Sequence, residues 1–324
     1  RVPLPAAMIT TSTAFMRWIL HRKSSRLLVC FASIIGEPVR CLRPAWLMLM
    51  MALVLSGCSM VQTVYNRSPD LVYWWMDGFV DVSAEQRPVL MEDLQAYQHW
   101  HRTTQLPRYT QWLQQLQTLA LQDVSEEQAC RVYRDVWDSL PALAEAAETG
   151  MTRLVTSLSA EQLEHLRNKL ERHHRDWRRD WVEPGPAEVL DKRVKRTRER
   201  AEDFYGRLEP PQLRLLRQQA ERSPYDAALS EAIRLRRQDD ILTTLRQLQQ
   251  QRPAPDEWRR QVRALLQRSV LSPIAAHQAY VDRLNDHNCR TMAQLHNTTS
   301  AEQRQSAVKR LQKYERDARA VMAR

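Results

Sequence analysis

Apolar residues recur at helical spacing through most of the chain. Behind Ser159 stand Leu163, Leu166, Leu170, Trp177 and Trp181, with His173 or His174 in the intervening turn. Behind Ser300 come Val308, Leu311, Tyr314, Ala318 and Met322, interleaved with Lys309, Arg310, Lys313 and Arg316. Leu90, Leu94 and Tyr97 form a stripe after Ser83, and Trp258, Val262, Leu265 and Leu266 form another after Pro255 and Asp256. Spacings of three and four residues place such side chains on one helix face, and no segment alternates as a half-buried strand does. The pattern predicts an all-α protein, a multi-helix bundle or helical array of about eight to ten helices.

A repeated tetrapeptide marks where those helices begin. Ser83-Ala84-Glu85-Gln86, Ser125-Glu126-Glu127-Gln128, Ser159-Ala160-Glu161-Gln162 and Ser300-Ala301-Glu302-Gln303 each place Ser at the N-cap and Gln three residues on. In such a box the Ser oxygen accepts from the third backbone amide and the Gln reaches back to the cap amide, while Glu complements the helix dipole. Leu208-Glu209-Pro210-Pro211-Gln212 is a degenerate fifth, with proline in the first turn where its missing N–H costs nothing. Pro184-Gly185-Pro186 is the sharpest break and predicts two lobes, 71–183 and 187–324; the Gln-rich stretch from Gln247 to Pro255 is a second break.

The N-terminal region reads differently. The apolar run from Leu27 to Ile35 is too short to span a bilayer, which takes roughly 20 residues. Arg40 and Arg43 then precede eleven apolar residues, Ala45 to Leu55, which lead into Ser56-Gly57-Cys58. Basic, apolar and small-residue segments in that order are the layout of a secretory signal. Leu55-Ser56-Gly57-Cys58 resembles the lipobox of bacterial lipoproteins. That resemblance implies that Cys58 becomes the first mature residue and carries the lipid. It also implies a site on the periplasmic face of the outer membrane, since Ser59 is not the inner-membrane retention residue of that family. The expectation is a leader over 1–57 (1–38 an upstream overcall, 39–57 a signal peptide starting at Val39) and an anchor and tether over 58–70.

Charge is redistributed by that reading. The whole chain has 48 Lys+Arg against 38 Asp+Glu, net +10. Seven of the basic and one of the acidic side chains lie in 1–57, so the expected mature chain carries 41 against 37, net +4. From Arg167 to Arg200 there are twelve basic and seven acidic residues, a local excess of +5. Lys192, Arg193, Lys195, Arg196, Arg198 and Arg200 are the candidate residues for binding an anionic partner. The competing reading is a solvated hairpin with internal ion pairs such as Asp176 with Arg179 or Asp191 with Lys195. In an envelope protein the partners of such a patch are lipid or lipopolysaccharide phosphates or an acidic protein segment, not nucleic acid.

Candidate chemistry is otherwise sparse. Only 6 glycines in 324 residues argue against Rossmann, P-loop and β-rich folds, whose turns and phosphate loops need them. Neither His99-Trp100-His101 nor His173-His174 has the i, i+4 spacing of two ligands on one helix face, and His277, His287 and His296 lack an accompanying Cys or acidic set, so no metal is expected. There is no Gly-x-Ser-x-Gly, and neither a catalytic residue nor a cofactor is assigned. Cys130 and Cys289 are either one disulfide across a long loop or two separate buried thiols. Val64, Tyr65, Leu71, Val72, Tyr73, Trp74, Trp75 and Phe79 crowd the segment before Ser83. They either lie at a membrane interface or cap the bundle core; the second is favoured because the segment is short and has no basic face of its own.

Short motifs along the expected mature chain resemble DUF6279, a family of uncharacterised proteobacterial lipoproteins. They are Leu55-Ser56-Gly57-Cys58, Tyr65-Asn66-Arg67, Trp74-Trp75-x-Asp77, Val82-Ser83-Ala84-Glu85-Gln86, Leu106-Pro107-x-Tyr109 and Ser300-Ala301-Glu302-Gln303-Arg304 with Leu311, Tyr314 and Asp317. The resemblance implies an all-α lipoprotein and brings no activity with it. The Ser-x-Glu-Gln boxes are also similar to the helix starts of periplasmic chaperones of the Spy and CpxP type. The expectation is a non-enzymatic, lipid-anchored helical protein of the envelope that binds a protein, lipid or lipopolysaccharide partner. The alternative is a hydrolase of an envelope polymer working through an unmarked Asp or Glu, which predicts a deep cleft and a buried carboxylate of raised pKa.

Overall fold

The computed structural model describes residues 60–323. The leader, the lipobox residues Leu55, Ser56 and Gly57, and Cys58 lie outside the described residues. The chain divides into two units, 2–67 and a body from Ser68 onward. In the first, the described part is one short helix, α1 (Met60–Asn66), closed by the Arg67 amide donating to the Thr63 carbonyl at 3.1 Å. The tether expected over 58–70 is thus helical in α1, and again from Ser68.

The body is helical throughout the described residues: α2 (Ser68–Val80), α3 (Gln86–Trp100), a π-helical turn (His101–Gln105), α4 (Leu106–Leu119), α5 (Glu126–Asp138), α6 (Leu140–Ala146), α7 (Glu148–Ser157), α8 (Ala160–Trp181), α9 (Pro186–Tyr205), α10 (Pro210–Arg222), α11 (Ala227–Gln251), α12 (Pro255–Val270), α13 (Ala275–Asn297) and α14 (Ala301–Met322). No described helix is long and apolar enough to cross a membrane. The protein is all-α, with more helices than the eight to ten expected. The surplus comes from short stretches such as α1 and α6 that begin without a capping box and from a rod that the π turn divides into α3 and α4.

The apolar stripes build two cores. One holds Tyr73, Val80, Leu90, Leu154, Val155, Leu158, Leu163 and Leu166 together with Leu245, Leu248, Val262 and Leu265. It therefore joins α2, α3, α7 and α8 to α11 and α12. The other is made of two clusters bridged by Tyr205: Ala120, Ala307, Val308 and Leu311, and Ala201, Leu208, Leu216 and Leu295. It joins α4, α9, α10, α13 and α14, and α5 packs on α13. The division expected at Pro184-Gly185-Pro186 is corrected by this arrangement. That break is one of five places where the chain passes between the cores, and helices from both sides of it fill each core. Gln247–Pro255 is helical to Gln251 and turns at Arg252 (φ 43°) within the first core.

Each core is pinned by a pair of glutamines. Gln86 Nε2 donates to Gln162 Oε1 at 3.1 Å and Gln162 Nε2 to Gln86 Oε1 at 2.7 Å. The second hydrogens reach across, from Gln86 to the Ser157 carbonyl and from Gln162 to the Asp81 carbonyl, both 2.8 Å. In the second core Gln212 and Gln303 exchange bonds of 2.7 and 3.0 Å and reach the carbonyls of Thr298 and Arg207, both 3.0 Å. The register is the same: every amide meets the carbonyl two residues before the opposite N-cap. Each Oε1 also accepts from the amide of its own cap, at Ser83, Ser159, Glu209 or Ser300. Positive-φ residues set up both sites, since Asp81 (φ 53°), whose own carbonyl is used, follows α2, and Gly206 (φ 74°) ends α9 just before the Arg207 carbonyl. Gly206 suits that position because glycine takes positive φ without steric cost.

Cys130 of α5 and Cys289 of α13 are joined in a disulfide with Cα atoms 4.9 Å apart, both buried beside the second core.

Candidate anion-binding cleft

Helices α8 and α9 meet at a corner about Pro184-Gly185-Pro186 and, instead of the expected hairpin, pack on different partners along their lengths. Gly185 is the N-cap of α9 with Pro186 in its first turn, a position that needs no backbone donor. The corner lies at a crossing, because α8 belongs to the first core and α9 to the second. In its angle is an open cleft of about 320 Å³ lined by Asp180, Trp181, Lys192, Lys195, Arg196 and Glu199.

Four side chains hold this corner together. The Arg196 guanidinium sits 4.1 Å from the Trp181 ring centroid, Trp181 meets Tyr225 edge-on at 6.5 Å, and Arg193 covers Tyr225 at 4.5 Å. A cation over an aromatic face is attracted by the ring quadrupole, most strongly where water is partly excluded. Burial pushes the pKa of both arginines below the ordinary guanidinium value, although a guanidinium remains protonated in proteins. Arg193 also donates to the Ala220 carbonyl at 3.0 Å. Tyr225 comes from the turn between α10 and α11, where Tyr280 Oη accepts from the Asp226 amide (2.9 Å).

The six basic candidates therefore have different fates. Lys192, Lys195 and Arg196 line the cleft; Lys192 is tied to Glu188 (2.8 Å) and the Asp180 carbonyl (3.2 Å). Lys195 is exposed and has no ion pair among the described residues. Arg193 faces away, fixed on Tyr225 and Ala220. Arg198 pairs with Glu202 (3.0 Å), and Arg200 is exposed on the side of Tyr133. Of the two internal ion pairs expected, Asp176–Arg179 forms at 3.0 Å, whereas Asp191 is taken by Arg217 at 2.8 Å instead of Lys195.

Other titratable groups are engaged in packing. Glu148 is buried under a two-pronged contact from Arg263 (2.6 and 3.0 Å), which holds its pKa below the usual carboxylate value. That direction is opposite to what a general acid needs. Asp317, also buried, pairs with Lys313 at 2.8 Å. His296 contacts Tyr205 Oη (3.0 Å) and the Gln122 carbonyl (2.8 Å), and burial lowers its pKa. Among the described residues, Cys130, Asp286 and Cys289 come within metal-ligand reach of one another, but both sulfurs are spent on the disulfide, which leaves no thiolate to donate.

Against known proteins, residues 78–273 match the profile of a family of unknown function, which is more than half of the chain. The chain belongs to the DUF6279 family. No curated protein and no solved structure matches it. The matched range contains all of α8 and α9, and in this DUF6279 chain the arginine–aromatic corner draws on the end of α8, the first half of α9 and Tyr225 beyond them. The corner leaves no signal in the sequence because no local spacing connects Trp181 to Tyr225; of the candidate anion-binding residues, Arg193 and Arg196 turn out to be the ones fixed on aromatic rings.

Proposed function

We propose that this protein is a lipid-anchored helical binding protein of the bacterial periplasm, attached through Cys58 to the outer membrane, and that its α8–α9 cleft receives an anionic group of an envelope component. The observation that carries the reading is Lys195, exposed and without an acidic partner, beside Lys192 and an Arg196 held in place by Trp181. Lys192 and Arg196 are already held in place, so an anion that enters there has mainly Lys195 to order, and Asp180 and Glu199 at the rim leave that lysine the group that can turn to it. The Cys130–Cys289 disulfide supports an oxidising compartment.

Lys195→Glu tests the cleft without touching the arginines that hold the corner. Titration of the purified protein with soluble pyrophosphate and with lipopolysaccharide should show binding that weakens as salt rises, and at least about tenfold weaker in the variant, or roughly 1.4 kcal/mol. Equal affinity of both proteins for both probes would remove the cleft from the function. Inhibition of lipoprotein signal peptidase should leave an unprocessed precursor if Cys58 is the lipidated residue; identical processing in a Cys58→Ala chain would exclude it.

A further inference from the structure

Two of the aromatic residues before Ser83 do not enter the core. Tyr73 and Val80 of α2 are buried and Phe79 packs against them, but Trp74 is 66% exposed and Trp75 41% exposed. Two adjacent indoles in water on one helix are unusual, since a large apolar surface left exposed ordinarily marks an interaction site. Sequence alone argued against a membrane role here because α2 has no basic face. The fold supplies one from another helix. α8 packs beside α2, with Lys169 Nζ lying 5.7 Å from the Phe79 ring centroid and His173 stacking on the same ring at 5.0 Å. Trp75 leans on Phe79 from the other side at 4.8 Å. In the next turn of α8, Arg172 and Arg175 are exposed and have no ion pair among the described residues. Of the nearby acids, Asp176 pairs with Arg179 and Glu171 with Arg167, while Asp77 accepts from the Val82 amide (3.0 Å).

We propose that Trp74 and Trp75 of α2, with Lys169, Arg172 and Arg175 of α8, form a docking surface for an anionic lipid bilayer. The occupant follows from the chemistry. Indole rings partition to the headgroup level, where the ring is in apolar surroundings and its N–H stays hydrated, and lysine and arginine beside them meet lipid phosphate. The strip is separate from the α8–α9 cleft. If Cys58 is acylated as proposed, Ser68 follows only ten residues later, so the tether confines the start of α2 to at most about 35 Å from the leaflet that takes the acyl chains. The strip itself does not depend on that anchoring.

The test uses the mature chain from residue 58 carrying Cys58→Ser, so that neither the leader nor an acyl chain contributes, with vesicles of phosphatidylglycerol or of phosphatidylcholine containing brominated lipid. Tryptophan quenching is expected in phosphatidylglycerol, and Trp74→Phe/Trp75→Phe should remove a large part of it, while tryptophans elsewhere contribute equally to both proteins. Lys169→Glu/Arg172→Glu/Arg175→Glu should lower the apparent affinity for phosphatidylglycerol at least about tenfold with unchanged helicity, and Lys195→Glu should leave it unaltered. Quenching that is the same with and without Trp74 and Trp75, or that does not distinguish the two lipids, would overturn the proposal. So would a concentration-dependent dimer that Trp74→Ala/Trp75→Ala dissolves, which would assign the strip to a second copy of the chain. Failure of Cys58 processing in cells would leave these vesicle results standing, so the two readings fail separately.

Discussion

Each glutamine of a clasp fills four hydrogen-bond positions, two on the amide and two on the carbonyl, so removing one strands its partner and a backbone carbonyl as well. Gln303→Leu should therefore cost about 1–3 kcal/mol in urea unfolding, because buried polar groups are left unpaired. Gln212→Leu/Gln303→Leu should cost clearly less than the two single changes added together, and strict additivity would show that the pair does not act as a unit. His101, in the π turn against Tyr109 (ring centroids 5.5 Å apart), is a second sensitive point, since burial pushes its pKa from 6.5 down to about 4. The fold holds this ring neutral while the unfolded chain takes up a proton below pH 6.5. Its contribution is complete above that pH and is lost as pH falls toward 4, by about 3 kcal/mol. His174 and His296 are shifted in the same direction by burial. Thermal melts between pH 7 and 4 should show the decline, and a His101→Phe chain should lose part of its slope.

At the scale of the helix, capping is the part of the fold that can be read directly. Ser125, Ser159 and Ser300 each accept from the third amide while Gln128, Gln162 and Gln303 bond back. At Ser83 both bonds form although regular helix begins only at Gln86. Gln128 belongs to no clasp, so Ser125→Ala isolates the cap itself and should cost roughly 1 kcal/mol by chemical denaturation. A box is visible in sequence because all its atoms lie within four residues. Which boxes pair is not visible, because Gln86 meets Gln162 and Gln212 meets Gln303 only after α3, α8, α10 and α14 have packed. The same distinction governs the candidate site. The basic stretch from Arg167 to Arg200 stands out by composition, yet Trp181 and Tyr225 decide that Arg193 and Arg196 become part of the framework and leave Lys195 available. Likewise Trp74 and Trp75 lack cations until α8 brings them.

Over the whole molecule, the disulfide spans 159 residues of sequence while joining helices that already touch. Cross-linking so long a segment removes many conformations of the unfolded chain, and losing it should cost about 2–5 kcal/mol. Unfolding midpoints with and without reductant, compared with Cys130→Ser/Cys289→Ser, would measure this; a midpoint indifferent to reductant would mean that packing of α5 on α13 suffices. The alternation of the chain between two cores has a consequence for how it comes into being. A polypeptide delivered from its N-terminus cannot close the first core until Val262 and Leu265 arrive, nor the second until Ala307, Val308 and Leu311 follow. Part of each core stays uncovered until then, so this protein is completed late, by its last few helices, and a chain released before them exposes apolar surface to whatever guards unfinished polypeptides.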